Sequence, residues 1–220
     1  MSALAGALAQ LESWLLEPLP DQAVSATPVE LPPQPVIAVV GLTPGCGTTT
    51  VARALAARLA TRAPERAAIV AGAPRSSALA PATPAAARLR SRLGRGARAV
   101  GRLCLCEPPD AAELVGAVPV VLDGGAATAH VADAAIVVAP ADAEPALVEL
   151  FARKLPTRGH EPLIAVNRAH ERERWAGRAS LLLPESQMGA RLAAAGWEPR
   201  GAFGRAVSDL GAACEAVACA

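Results

Sequence analysis

From Val36 onward the chain alternates two hydrophobic patterns. Short runs of consecutive apolar, often β-branched residues predict strands over 36–40, 67–71, 100–106, 118–122, 134–139, 163–166 and 181–183. Between them, stretches rich in Ala, Leu and Arg predict helices over 49–62, 84–94, 144–154, 187–195 and 205–218. Strands that are apolar throughout are buried on both faces. Separated by helices, they make an α/β fold: a mostly parallel central sheet with helices on both faces. In such sheets ligands bind at the carboxyl ends of the strands, so the loops there carry the chemistry.

The first 35 residues follow a different pattern. Leu4, Leu8, Leu11 and Leu15 fall on one face of a helix predicted over 2–17. Residues 18–35 hold six prolines and read as a stiff, extended linker. The chain thus divides into an amphipathic helix (1–17), a Pro-rich linker (18–35) and one α/β domain (36–220). A helix tethered this way is not stable alone. It is expected to dock on its own domain, a second subunit or a partner. Its polar face has Glu12 and Glu17 and no basic residue, which argues against a membrane surface.

No basic region precedes the N-terminal leucines, so no signal peptide is predicted. The uncharged stretch 31–52 is broken by four prolines and three glycines and cannot span a bilayer. No transmembrane segment is expected, and the reading is cytoplasmic. The five cysteines, at 46, 104, 106, 214 and 219, match no zinc spacing and read as small buried hydrophobes in a reducing compartment. No structural metal is expected.

Composition changes the picture at one point. A net charge of +1 gives no overall drive toward nucleic acid or anionic membrane. Of 21 basic residues 20 are Arg, and Lys154 is the single lysine. That lysine lies in a predicted helix far from the loop now described.

The first strand runs into Gly41-Leu42-Thr43-Pro44-Gly45-Cys46-Gly47-Thr48-Thr49-Thr50, and a helix follows. A strand, a glycine-rich turn and a helix N-terminus make a phosphate cradle. Gly45 and Gly47 let backbone N–H groups turn inward, and the helix dipole adds positive potential. A threonine hydroxyl at the helix start, Thr49, can ligate Mg²⁺. Three further strand ends follow. They are Val120-Val121-Leu122-Asp123, then Leu163-Ile164-Ala165-Val166-Asn167-Arg168, then Leu181-Leu182-Leu183-Pro184-Glu185.

In these four stations and their order, 36–210 resembles the MinD/ParA group of P-loop NTPases, including the pilus-associated CpaE/TadZ proteins. The resemblance implies nucleotide contacts from Gly45, Cys46, Gly47, Thr48, Thr49 and Thr50. It implies Mg²⁺ held by Thr49 and, through water, by Asp123. It also implies that Asn167 contacts the base and that Pro184 and Glu185 close over it. ATP and Mg²⁺ are the implied cofactors, and a protein partner or a homodimer the implied assembly.

The departures matter as much. The group reads Lys-Gly-Gly-Val-Gly-Lys-Thr-Thr, where this chain has Thr43 and Thr48 in place of the two lysines. Leu42 stands for the motif's first glycine. The second strand ends Ala71-Gly72-Ala73-Pro74-Arg75, without the carboxylates that position the attacking water in the group. Phosphoryl transfer rests on positioning and charge stabilisation. The expected activity is therefore weak ATP binding and slow or absent hydrolysis, in a localisation or assembly factor. An active ATPase with a non-standard loop, Thr48 and Arg75 covering for the lysine and Arg75 supplying a phosphate contact, is the alternative. A P-loop amide-forming ligase ranks last. Between Arg66 and Glu107 there is no acidic residue, and Arg88, Arg92 and Arg95 share one helical face. That face is either solvated surface or, as the resemblance implies, a non-specific DNA contact.

Overall fold

The computed structural model describes residues 34–63, 65–72, 83–84, 97–107, 118–170 and 173–219. The helix predicted over 2–17, residues 85–94 of the helix predicted over 84–94, most of the Pro-rich linker, and Arg75, Arg88, Arg92 and Arg95 lie outside them, while Pro84 ends a short strand instead of starting a helix.

The strands are β1 (Val36–Gly41), β2 (Ala68–Ala71), β3 (Thr83–Pro84), β4 (Arg98–Val100), β5 (Leu103–Cys106), β6 (Val120–Gly124), β7 (Ala134–Pro140), β8 (Leu163–Asn167) and β9 (Leu181–Leu183). The helices are α1 (Thr48–Arg62), α2 (Pro145–Lys154), α3 (Gln187–Ala194) and α4 (Gly201–Ala218), with 3₁₀ turns at Ala126–Val131 and Glu173–Trp175. Among the described residues the strands form one sheet in the order β3-β4-β5-β2-β6-β1-β7-β8-β9. From β5 to β9 every neighbouring pair is parallel, and β3 and β4 add an antiparallel edge.

One predicted strand is corrected. The run 100–106 is two strands, not one. Gly101 adopts φ +54 and turns the chain, so β4 pairs antiparallel with β5. A glycine inside an apolar run left the reversal hidden in the sequence. The start of α4 is corrected too, from 205 to Gly201.

Alternate residues of the strands face opposite ways and build two cores. Ile37 and Val39 of β1 meet Leu55, Leu59, Phe203, Val207 and Leu210 from α1 and α4. Val36, Ala38 and Val40 meet Val148 and Ala152 of α2, with Trp175. The strands are therefore near-continuously apolar because both faces are covered.

Helix α1 is unusual within this frame. Residues 51–57 are buried consecutively, so the helix has no solvent face along that stretch. It packs on β2 and β6 on one side and on α3 and α4 on the other. A helix apolar all round belongs in the interior. The one charge in that stretch, Arg53, is 3% exposed. Among the described residues no helix is long and apolar enough to cross a membrane.

Candidate functional site

The loop after β1 is held on both sides. Leu42 N–H donates to Val138 O of β7 at 2.9 Å, and Cys46 N–H to Thr43 O at 3.3 Å. Gly45 and Gly47 have φ +81 and +95, values that L side chains rarely adopt. Gly47 is the residue from which α1 starts, and no side chain caps that end. Its first N–H groups are thus left without a side-chain acceptor, as an anion-binding helix N-terminus requires.

A cavity of about 390 Å³ opens over this loop. It is lined by Gly41, Leu42, Thr43, Pro44, Thr48, Thr49, Gly72, Asp123 and Gly124. Parallel pairing sets Asp123 of β6 beside Val39 of β1, so its carboxylate stands next to the loop's entry. The Thr49 hydroxyl donates a hydrogen bond to Asp123. The two residues expected to hold Mg²⁺ are therefore adjacent. Burial pushes the Asp123 carboxyl above its ordinary value, while the Thr49 bond and the charge of Arg53 oppose that rise. Among the described residues, no group of three His, Cys, Asp or Glu side chains is placed to hold a metal.

Thr48, which the sequence resemblance sets against a lysine, turns back into the loop. Its Oγ1 lies 3.1 Å from Cys46 Sγ. A Cβ added at Gly41 would overlap that same Oγ1, so Gly41 is the glycine that permits the loop's close packing. Sequence reasoning looked for this glycine one residue later, at Leu42.

A second, smaller cavity of about 110 Å³ adjoins α1. It brings together Thr50, Asn167, Arg168, Pro184, Glu185, Ser186 and Phe203, among others. Asn167 is its hinge with the loop. Its Nδ2 donates to Cys46 O at 2.9 Å, and its Oδ1 accepts from Arg168 N–H at 3.1 Å. A Cβ on Gly47 would overlap Asn167 Nδ2, so amide and loop are packed in direct contact. Arg168, at φ +56, holds the left-handed conformation right after Asn167. Ser186 caps α3 by accepting from Gly189 N–H at 2.9 Å, which fixes the helix that follows Pro184 and Glu185.

The fold thus gathers the predicted residues around two cavities. Thr48, Thr49 and Asp123 line the larger one, and Thr50, Asn167, Pro184 and Glu185 the smaller, with Cys46 joined to Asn167. Gly45 lies in the exposed part of the loop. Gly72, three residues before Arg75, reaches the larger cavity.

Sequence reasoning missed Arg53. It sits four residues after Thr49 on α1, and its Nη1 donates to Ala194 O at the end of α3 at 3.3 Å. Burial lowers its pKa and the charge of Asp123 raises it. Arg53 and Asp123 are the buried charged residues among those described. The signal was an arginine flanked by apolar residues from 51 to 57, which reads as surface in an arginine-rich chain.

The fold and loop together define a P-loop NTPase architecture of the MinD/ParA kind. The chain is similar to the ParA family ATPase from Chlorobium tepidum TLS, with a TM-score of 0.56 and 13% identity, covering 81% of this chain and 99% of that one. It is also similar to a chain of the MinC:MinD cell division protein complex of Aquifex aeolicus, with a TM-score of 0.53 and 16% identity, covering 83% and 96%. At such identities the likeness is one of fold. No protein-family profile matches the chain, and no curated protein is similar to it in sequence.

Proposed function

We propose that this protein is a MinD/ParA-like P-loop protein with a degenerate nucleotide site. It binds Mg²⁺·ATP weakly, hydrolyses it slowly or not at all, and acts as a localisation or assembly factor through protein contacts in the cytoplasm. The observation that carries this reading is the lining of the 390 Å³ cavity. Among the described residues it holds one carboxylate, Asp123, and no Lys, Arg or His. Among the described residues of that lining, a nucleotide triphosphate meets the Asp123 carboxylate and no side-chain cation, and the charge of Arg53 reaches Asp123 from outside the lining.

The remaining parts fit a nucleotide. The uncapped start of α1 would hold phosphate oxygens, and Thr49 with Asp123 would hold Mg²⁺. Asn167, Pro184 and Glu185 would surround the base. When bound, Mg²⁺ would supply the charge neutralisation that side chains do not. A missing charge-assisted bond lowers affinity about tenfold to a hundredfold. Hydrolysis suffers more, because such charges act most strongly in the transition state. The MinD of the comparison structure is in complex with MinC, which supports a protein partner here.

Titration calorimetry with ATP, with and without Mg²⁺, tests the reading together with phosphate release. Weak, Mg²⁺-dependent binding without turnover is expected; rapid turnover overturns it. Non-specific DNA binding through Arg88, Arg92 and Arg95 is a separate proposal. It predicts salt-sensitive binding that is lost when the three charges are reversed.

A further inference from the structure

We infer that the chain carries a second binding site, for a small organic anion with a flat apolar ring, at the opposite end of the sheet from the phosphate loop. It is a cleft of about 280 Å³ whose lining includes Thr61, Arg102, Leu192, Trp197, Pro199 and Arg200. The phosphate loop follows the carboxyl end of β1, whereas Arg102 immediately precedes the first residue of β5. Thr61 lies near the far end of α1, roughly 20 Å along that helix from Thr48. The inference does not depend on nucleotide binding.

Four features argue for a ligand. The first is Trp197, 49% exposed in a chain with five aromatic residues. An indole half in water inside a concavity offers apolar surface beyond the face that Arg102 covers. The second is charge. Glu198 also lines the cleft, and it pairs with Arg58 at 3.3 Å. Among the described residues Arg102 and Arg200 form no ion pair, so no described carboxylate neutralises either guanidinium in the cleft.

The third is their arrangement. The Arg102 guanidinium lies over the Trp197 ring, 5.8 Å from its centroid. A cation held against an aromatic face sets an anion-binding group beside an apolar wall. Leu192 and Pro199 extend that wall. The fourth is rigidity. Arg102 N–H donates to Gly196 O at 3.0 Å. A Cβ at Gly101 would overlap Ala195 O, and one at Gly196 would overlap Val100 O. Backbone meets backbone here, so the cleft is formed before any ligand arrives, which lowers the cost of binding. Its volume suits a ligand at the small end of the usual range.

The test uses 1-naphthoate as probe, with calorimetry and saturation-transfer NMR on the full chain. Acetate supplies the anion without the ring, and naphthalenemethanol the ring without the anion. Naphthoate is expected to bind with one-to-one stoichiometry and to outcompete both controls. Arg102→Gln and Arg200→Gln are each expected to weaken it about tenfold, and Trp197→Leu to abolish the ring's contribution. Melting temperatures of the three variants serve as the folding check. Excess Mg²⁺·ATP should leave naphthoate bound. No saturable binding at millimolar naphthoate overturns the proposal. So does equal binding by a folded Arg102→Gln/Arg200→Gln double variant, or displacement by ATP.

Discussion

Thr48 and Asp123 line one cavity, whose described lining holds one carboxylate and no Lys, Arg or His. A lysine at 48 would extend from the same helix start toward the loop's N–H groups. Thr48→Lys is therefore expected to tighten Mg²⁺·ATP binding about tenfold to a hundredfold, read by calorimetry against the unmodified protein. Asp123 gives a pH prediction. Burial raises its carboxyl above 3.8, the ordinary value, so the folded state holds the proton more tightly than the unfolded chain. Stability from this group is full below that ordinary value and is lost as pH rises through the higher folded value. Asp123→Asn, which stays neutral, is expected to raise the melting temperature at pH 7 and to lose that advantage near pH 3. The same variant should abolish the Mg²⁺ dependence of ATP binding. A native site residue that costs the fold stability is a common mark of function.

At the scale of elements, the β4–β5 hairpin and the end of α3 are clasped by two glycines. Gly196 has φ +72 and approaches Val100 O so closely that no side chain fits. Gly196→Ala is expected to destabilise the protein by about 2 kcal/mol or more, measured as a lower urea midpoint. Much of the sheet was legible because it is buried on both faces. The predicted β1, β6, β8 and β9 each lie within two residues of the observed strands, and Asp123, Asn167 and Pro184 fall at or beside the ends of β6, β8 and β9. The illegible parts depend on distant partners. Gly101 turns the chain because it abuts Ala195 and Gly196, which no local pattern announces. Helix α4 begins at Gly201 although Gly201 and Gly204 look like breakers. Gly204 is there because a Cβ would overlap Pro199 O. Arg53 went unnoticed because its partners, Ala194 and the region of Asp123, lie 141 and 70 positions away in the sequence. Periodicity reports which face is buried, not which charge is buried with it.

Across the whole molecule, protection should follow sheet order. Amide exchange is expected to be slowest in β1, β6 and β7, at the centre, and faster in β9 at the edge. Thiol chemistry gives a second probe. Cys46, Cys104, Cys106 and Cys214 are buried and Cys219 is exposed. Burial, with Glu215 nearby, pushes the Cys214 thiol up to about 12. Its thiolate is scarce at pH 8, so iodoacetamide is expected to label Cys219 in the native protein and to reach Cys214 after denaturation. Because the folded value is the higher one, this group's contribution is complete below 9.0 and is lost through about 12, so alkaline titration should lower stability in that window. Helix α1 sets the terms on which the site can vary. Its stretch from 51 to 57 is buried on every side, and its first residue, Thr48, lies outside that stretch. Exchanges among Thr, Lys and Arg at position 48 therefore alter the loop, where Thr48 packs on Cys46 and Gly41, and leave the buried stretch of the helix in place. The loop can thus change in sequence while the helix that carries it stays anchored.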